Sequence, residues 1–169
     1  MKFLSVALGA MLLSACSIKD EGNATAAAPA AAAPAMIPLV ITANGKQHRF
    51  AMEVAVTQEE QAKGLMFRKD IPADGGMVFP MSPPRTASFW MKDTWVPLDM
   101  LFVRTDGTIV FLAANRQPYV REPVSAGVPV AGVVELRGGR AAELGIAEGD
   151  TVQWGDCAKP GPATFCPKP

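Results

Sequence analysis

Four charged side chains stand in segments that are otherwise apolar or built like motifs: Arg68, Lys92, Asp99 and Glu135. Asp99 sits in Leu98-Asp99-Met100-Leu101-Phe102-Val103, and Glu135 lies between Val134 and Leu136. An unpaired buried carboxylate is costly, so acids inside apolar strands need hydrogen bonds or cations. Arg68 and Lys92 are the natural countercharges. Two chemistries fit this set. One is a polar pocket that recognises a small ligand. The other is a general acid/base carboxylate pair of the kind used in glycoside cleavage. A structural ion-pair network, or acids turned to solvent, would use the same residues without any activity. Trp90 adds aromatic surface, with Phe89 and Trp95 close by and Tyr119 further along. Aromatics beside charge suit the stacking of a sugar or cyclic ligand, although core packing is the ordinary use, above all for Phe89.

Other chemistries find less support. His48 is the one histidine, which excludes multi-histidine metal sites and disfavours a histidine-based triad. Between Ser17 and Asp156 there is no cysteine, so the domain has no thiol nucleophile. Its serines are Ser82, Ser88 and Ser125, none in a Gly-x-Ser-x-Gly elbow. Gly138-Gly139 lacks the Lys-Ser/Thr ending of a phosphate loop. Met52, Met66, Met77, Met81, Met91 and Met100 could bind Cu(I) through their thioethers. No Met-x-x-Met repeat stands out, and core filling explains them better. The sequence therefore implies no metal centre and no cofactor.

Of 169 residues, 16 are basic and 16 acidic. A nucleic-acid-binding domain normally carries a basic excess, so nucleic acid is not an expected partner. An apolar fraction of 49% is too high for a disordered chain.

The first segment reads as a targeting signal. Lys2 precedes an apolar run from Phe3 to Leu13, too short to span a bilayer, and Leu13-Ser14-Ala15-Cys16 follows. This resembles a bacterial lipobox. The resemblance implies cleavage of residues 1–15 and lipid attachment at Cys16. A secretory signal with a coincidental cysteine is the alternative. Ser17 in place of Asp implies the outer membrane, on the enteric pattern. The expected location is thus the bacterial cell envelope, lipid-anchored through Cys16 and facing the periplasm. Residues 16–36 form an Ala/Pro-rich linker, residues 37–156 a single β-rich domain and residues 157–169 a C-terminal tail. In an oxidising compartment Cys157 and Cys166 are expected to pair as a disulfide, with a metal or redox pair as the rival.

These residues need elements to hold them. Pro38–Ala43 and Lys46–Val56 read as strands joined at Asn44-Gly45. Thr57 to Glu60 is a capping box for a short helix that Gly64 closes. Met77–Met81 and Ala87–Met91 read as two short strands split by Ser82-Pro83-Pro84. Leu98–Arg104 and Thr108–Ala113 form a hairpin around Asp106-Gly107, and Gln117–Pro129 reads as a loop. Ala131–Leu136 is a buried strand, Gly138–Leu144 a short helix and Thr151–Trp154 a last strand. Hairpin turns dominate and no long crossover helix is present. The expected fold is mainly β: an antiparallel sandwich or partly closed barrel with two short helices.

The blocks Gly64-Leu65-Met66-Phe67-Arg68, Gly76-Met77-Val78-Phe79, Ser88-Phe89-Trp90-Met91-Lys92-Asp93-Thr94 and Pro97-Leu98-Asp99 are distinctive. With Val134-Glu135-Leu136 and Gly138-Gly139 they resemble the bacterial and archaeal domain of unknown function family 192, over roughly residues 40–154. Asp93 departs from the Asn more usual there. The resemblance implies a compact, mainly β domain and no established activity. The leading expectation is a non-enzymatic envelope lipoprotein domain that binds a small ligand or envelope partner through Arg68, Trp90, Lys92, Asp99 and Glu135. An enzyme acting on a cell-envelope glycan through the carboxylate pair is second, and copper handling through methionines third.

Overall fold

The Asn44-Gly45 pair makes the first hairpin. Both residues take left-handed φ values, 49° and 71°, as a two-residue turn between twisted antiparallel strands requires. They join β1 (Met36–Ala43) to β2 (Lys46–Val54), in register from Met36↔Glu53 to Ala43↔Lys46. Thr57 then opens α1 (Gln58–Lys63). Its Oγ1 accepts from the Glu60 amide at 3.2 Å, and Glu60 Oε2 accepts from the Thr57 amide at 2.8 Å. This reciprocal capping box starts a helix too short to stand by propensity alone. The chain returns as β3 (Gly75–Thr86), parallel to β2. A second hairpin follows, β4 (Leu98–Val103) and β5 (Ile109–Arg116), then β6 (Pro129–Arg137), α2 (Arg140–Leu144) and β7 (Thr151–Trp154).

The computed structural model describes residues 36–167. The expected signal segment, Cys16 and all of the linker before Met36 lie outside the described residues. The seven strands form one mixed sheet in the order β5-β4-β6-β3-β2-β1-β7. Five of its six strand pairings are antiparallel and β2·β3 is parallel. The sheet is not closed. Its edge strands touch at one corner, where Thr108 bridges Thr151 and the Val152 amide donates to the Gly107 carbonyl at 2.8 Å. The fold is thus mainly β, as expected, with a single parallel pairing that hairpin signals alone do not encode.

Two apolar clusters cover the two faces of this curled sheet. One holds Leu39, Ile41, Phe50, Val134, Leu136 and Trp154. The other holds Phe79, Met77, Met91, Met100, Phe102 and Val133. The central strands are therefore buried on both faces, and every residue of β4 is buried. Such strands lose the apolar/polar alternation that marks a half-buried sheet.

One expected feature differs. Met77–Met81 and Ala87–Met91 are not a pair of strands. β3 runs on through Ser82-Pro83-Pro84 to Thr86 because its pairing with β6 is interrupted there, between Pro80 and Arg85. A proline that faces no partner strand has no ladder bond to lose. Ala87–Met91 lies outside the named strands and makes only the Phe89↔Val124 bridge. The tail also packs onto the domain. Cys157 and Cys166 form a disulfide, and Phe165 pairs with Trp154 and stacks on its ring at 4.3 Å between centroids.

Candidate functional site

Glu135 is the unusual group. It lies toward the C-terminal end of β6, with Met77 of β3 directly opposite on one side and Met100 of β4 on the other. Both neighbours are buried, and Glu135 itself is 4% exposed. Neither residue opposite it is a cation, and its carboxyl makes no salt bridge or side-chain hydrogen bond among the described residues. Burial raises its pKa from 4.5 to about 8. The acid is therefore mainly protonated at neutral pH, a neutral hydrogen-bond donor set in apolar surroundings.

The Glu135 carboxyl forms part of the lining of an open cleft of about 610 Å³. That volume suits a small organic ligand. One wall is α1 and the turn after it, from Gln58 to Met66; the other is Arg85 to Trp90 with Lys92 and Thr94. The second wall is shaped by a tight turn. Asp93 takes a left-handed φ of 50°, and Thr94 donates its hydroxyl to the Lys92 carbonyl at 3.1 Å. Asn and Asp enter that conformation more readily than other non-glycine side chains, which suits Asp93 to this turn. The turn brings the Lys92 ammonium to 5.8 Å from the Trp90 ring centroid, within cation–π range. Trp90 remains 48% exposed.

Gly76 fits the same architecture. A Cβ there would collide with the Glu135 carbonyl oxygen, and φ is +150°. Only glycine lets β3 pass this close to β6 beside the acid.

Asp99 is equally buried but differently used. Its Oδ1 accepts from the Asn115 amide at 2.7 Å and the Gly139 amide at 3.0 Å; its Oδ2 accepts from the Ala141 amide at 2.7 Å. It thus ties a β5 irregularity to the first turn of α2, and backbone donors satisfy it without any cation. Asp99 opposes Leu136, whereas Glu135 opposes Met100. Directly opposed residues share a face and successive residues alternate, so the two carboxylates project from opposite faces of the sheet. The expected carboxylate pair does not form, and Asp99 does not line the cleft.

Arg68 has a different partner. Its guanidinium pairs with Glu53 of β2 at 2.6 Å, and it does not line the cleft. Of the five expected residues, the structure brings together Trp90, Lys92 and Glu135. The cleft adds Lys63, Arg85 and Gln61, which sequence reasoning did not single out. Arg85 donates to Gln61 Oε1 at 3.0 Å, and Gln61 Nε2 donates to the Ala55 and Pro80 carbonyls. Nothing in a short polar helix, or in the exposed end of β3, marks these residues beforehand.

The other aromatics divide. Phe89 packs edge-on against Phe79 and Phe102 in the core. Trp95 meets Phe67 edge-on at 6.0 Å, away from the cleft. The methionines do not converge at the surface: Met52 belongs to one core cluster, and Met77, Met81, Met91 and Met100 to the other. His48 sits on β2 opposite Ile41, with its Nε2 buried and unpartnered, and does not line the cleft.

Residues 39–154 match the family model of domain of unknown function 192, described as an uncharacterized ACR family, and the chain belongs to that family. A crystal structure of a protein of unknown function from Novosphingobium aromaticivorans is 44% identical, with a TM-score of 0.70; the match covers 76% of this chain and 94% of that one. A Sinorhizobium meliloti structure, provisionally described as a transcription regulator, is 35% identical with a TM-score of 0.68, covering 70% and 93%. No curated protein matches the chain.

Proposed function

We propose that the domain is a small-ligand-binding module whose site is the cleft over Glu135. One observation carries this reading: a buried acid, without a cation or side-chain hydrogen-bond partner among the described residues, lines an otherwise open cleft. A fold gains no stability from a buried acid that no cation or protein donor meets, since an apolar residue in its place would pack at no desolvation cost. Trp90 and Lys92 supply a stacking face and a charge at the rim. A binding role suits this set better than acid/base catalysis, because the cleft holds one carboxyl and no second acid or histidine.

The description of the S. meliloti relative does not transfer readily. Charge here is balanced, and the two helices among the described residues have six and five residues, too short to serve as a recognition helix in a major groove. The envelope location remains part of the proposal. It is supported by the lipobox-like Leu13-Ser14-Ala15-Cys16 and by a disulfide that belongs in an oxidising compartment.

The test is native mass spectrometry of the full chain purified in detergent from its own host. The wild type should carry a retained small molecule that Trp90→Ala loses. A wild-type mass equal to that of the bare lipidated chain rejects the reading.

A further inference from the structure

Lys63, Arg85 and Lys92 line the cleft from three separate segments, and Glu135 is its only acid. Resting on the ligand-binding reading above, we propose that the cleft selects an acidic saccharide, holding its carboxylate or phosphate among Lys63, Arg85 and Lys92 and its ring against Trp90.

Three features point to this class. First, the lining is cationic in a chain whose overall charge is balanced, so the local field favours an anion. Arg85 keeps most of its guanidinium donors free after its single bond to Gln61, and Lys92 has no acid partner among the described residues. Second, Gln58, Gln61, Thr86, Ser88 and Thr94 give the walls amides and hydroxyls, the partners that sugar hydroxyls need. Third, Trp90 is half exposed on the wall that carries Lys92. Glu135 supports the same class from below. Met77 and Met100 flank it on β3 and β4, so the charged groups that share its cleft are the three cations. Protonated, it repels no anion and donates to a sugar oxygen. A cationic amine would instead have to pass the three rim charges to reach a neutral acid.

The test is isothermal titration of the full-length protein in a non-sugar detergent with glucuronate, glucose 6-phosphate, glucose and glucosamine, near neutral pH. Both anionic sugars should bind at least about tenfold more tightly than glucose. That preference should shrink at an ionic strength of about 0.5 M, where the screening length falls to a few ångströms. Lys92→Gln should remove most of it, and Lys63→Gln, on an exposed helix, part of it. Glucose or glucosamine binding as tightly as the anions overturns the anion preference and leaves the cleft reading intact. So does a preference that survives both substitutions. Failure of all four sugars to bind overturns the saccharide class, and retained mass on the host-purified protein then judges the cleft reading separately.

Discussion

Asp99 and Glu135 sit one rung apart on the adjacent strands β4 and β6, yet their carboxyls project from opposite faces of the sheet. One accepts three backbone amides and the other accepts none. Two acids that look equivalent in sequence are thus a structural clasp and a cleft residue. They should separate cleanly on mutation.

Asp99→Asn should destabilise the domain by about 2–4 kcal/mol. The amide nitrogen would face a backbone donor where a carboxylate oxygen now accepts. Urea unfolding of wild type and variant measures the difference. A change within about 0.5 kcal/mol would remove Asp99 from its structural role.

Glu135→Gln should do the opposite. The pKa of the folded protein, about 8, lies above the ordinary 4.5. The folded state therefore holds a proton that the unfolded chain has released. The associated stability is fully present below pH 4.5 and is lost as pH rises to about 8. At about 1.4 kcal/mol per unit, the loss across the window is roughly 4–5 kcal/mol. Melting curves between those limits should slope downward for the wild type and run flatter for Glu135→Gln. Parallel slopes would mean that Glu135 titrates normally.

Arg68→Gln should cost less than about 1 kcal/mol, since a partly solvated ion pair contributes little. Its side chain is 42% exposed and that of its partner Glu53 16%. The variant should also retain whatever ligand the wild type retains. Loss of the ligand with stability unchanged would return Arg68 to the site.

Reducing the Cys157–Cys166 disulfide, or replacing both cysteines by serine, should lower stability by about 2.5–3 kcal/mol on the chain-entropy account for so short a ring. Non-reducing peptide mapping of the native protein should recover the two cysteines joined. Two free thiols there would contradict the pairing.

The hairpins were legible because turn chemistry is local. Asn44-Gly45, Asp106-Gly107 and the Thr57/Glu60 capping box each announce themselves within a few residues. That Asp99 and Glu135 are buried followed from the apolar strands around them. The face each one takes was not legible. Leu98–Val103 and Val133–Leu136 are buried on both sides and show no alternation to phase them. The phase comes from the Met100↔Glu135 register, a property of two distant segments together. The Arg68–Glu53 pair was hidden for a related reason: Glu53 looks like any acid on the polar side of a strand. Lys63 and Arg85 become site residues only when α1 and the end of β3 are laid beside Trp90.

The tail has one further consequence. Phe165 lies on the Trp154 ring and bonds to its backbone in both directions, at 2.8 and 3.0 Å, while residues 156–162 are exposed. A protease that cuts this exposed stretch beyond Cys157 severs the chain but not the molecule, because Cys166 keeps the far piece attached and Phe165 seated. A nicked protein would run as one species without reductant and as two with it. The ring turns an exposed loop of the domain into one that can be cut without unplugging the core.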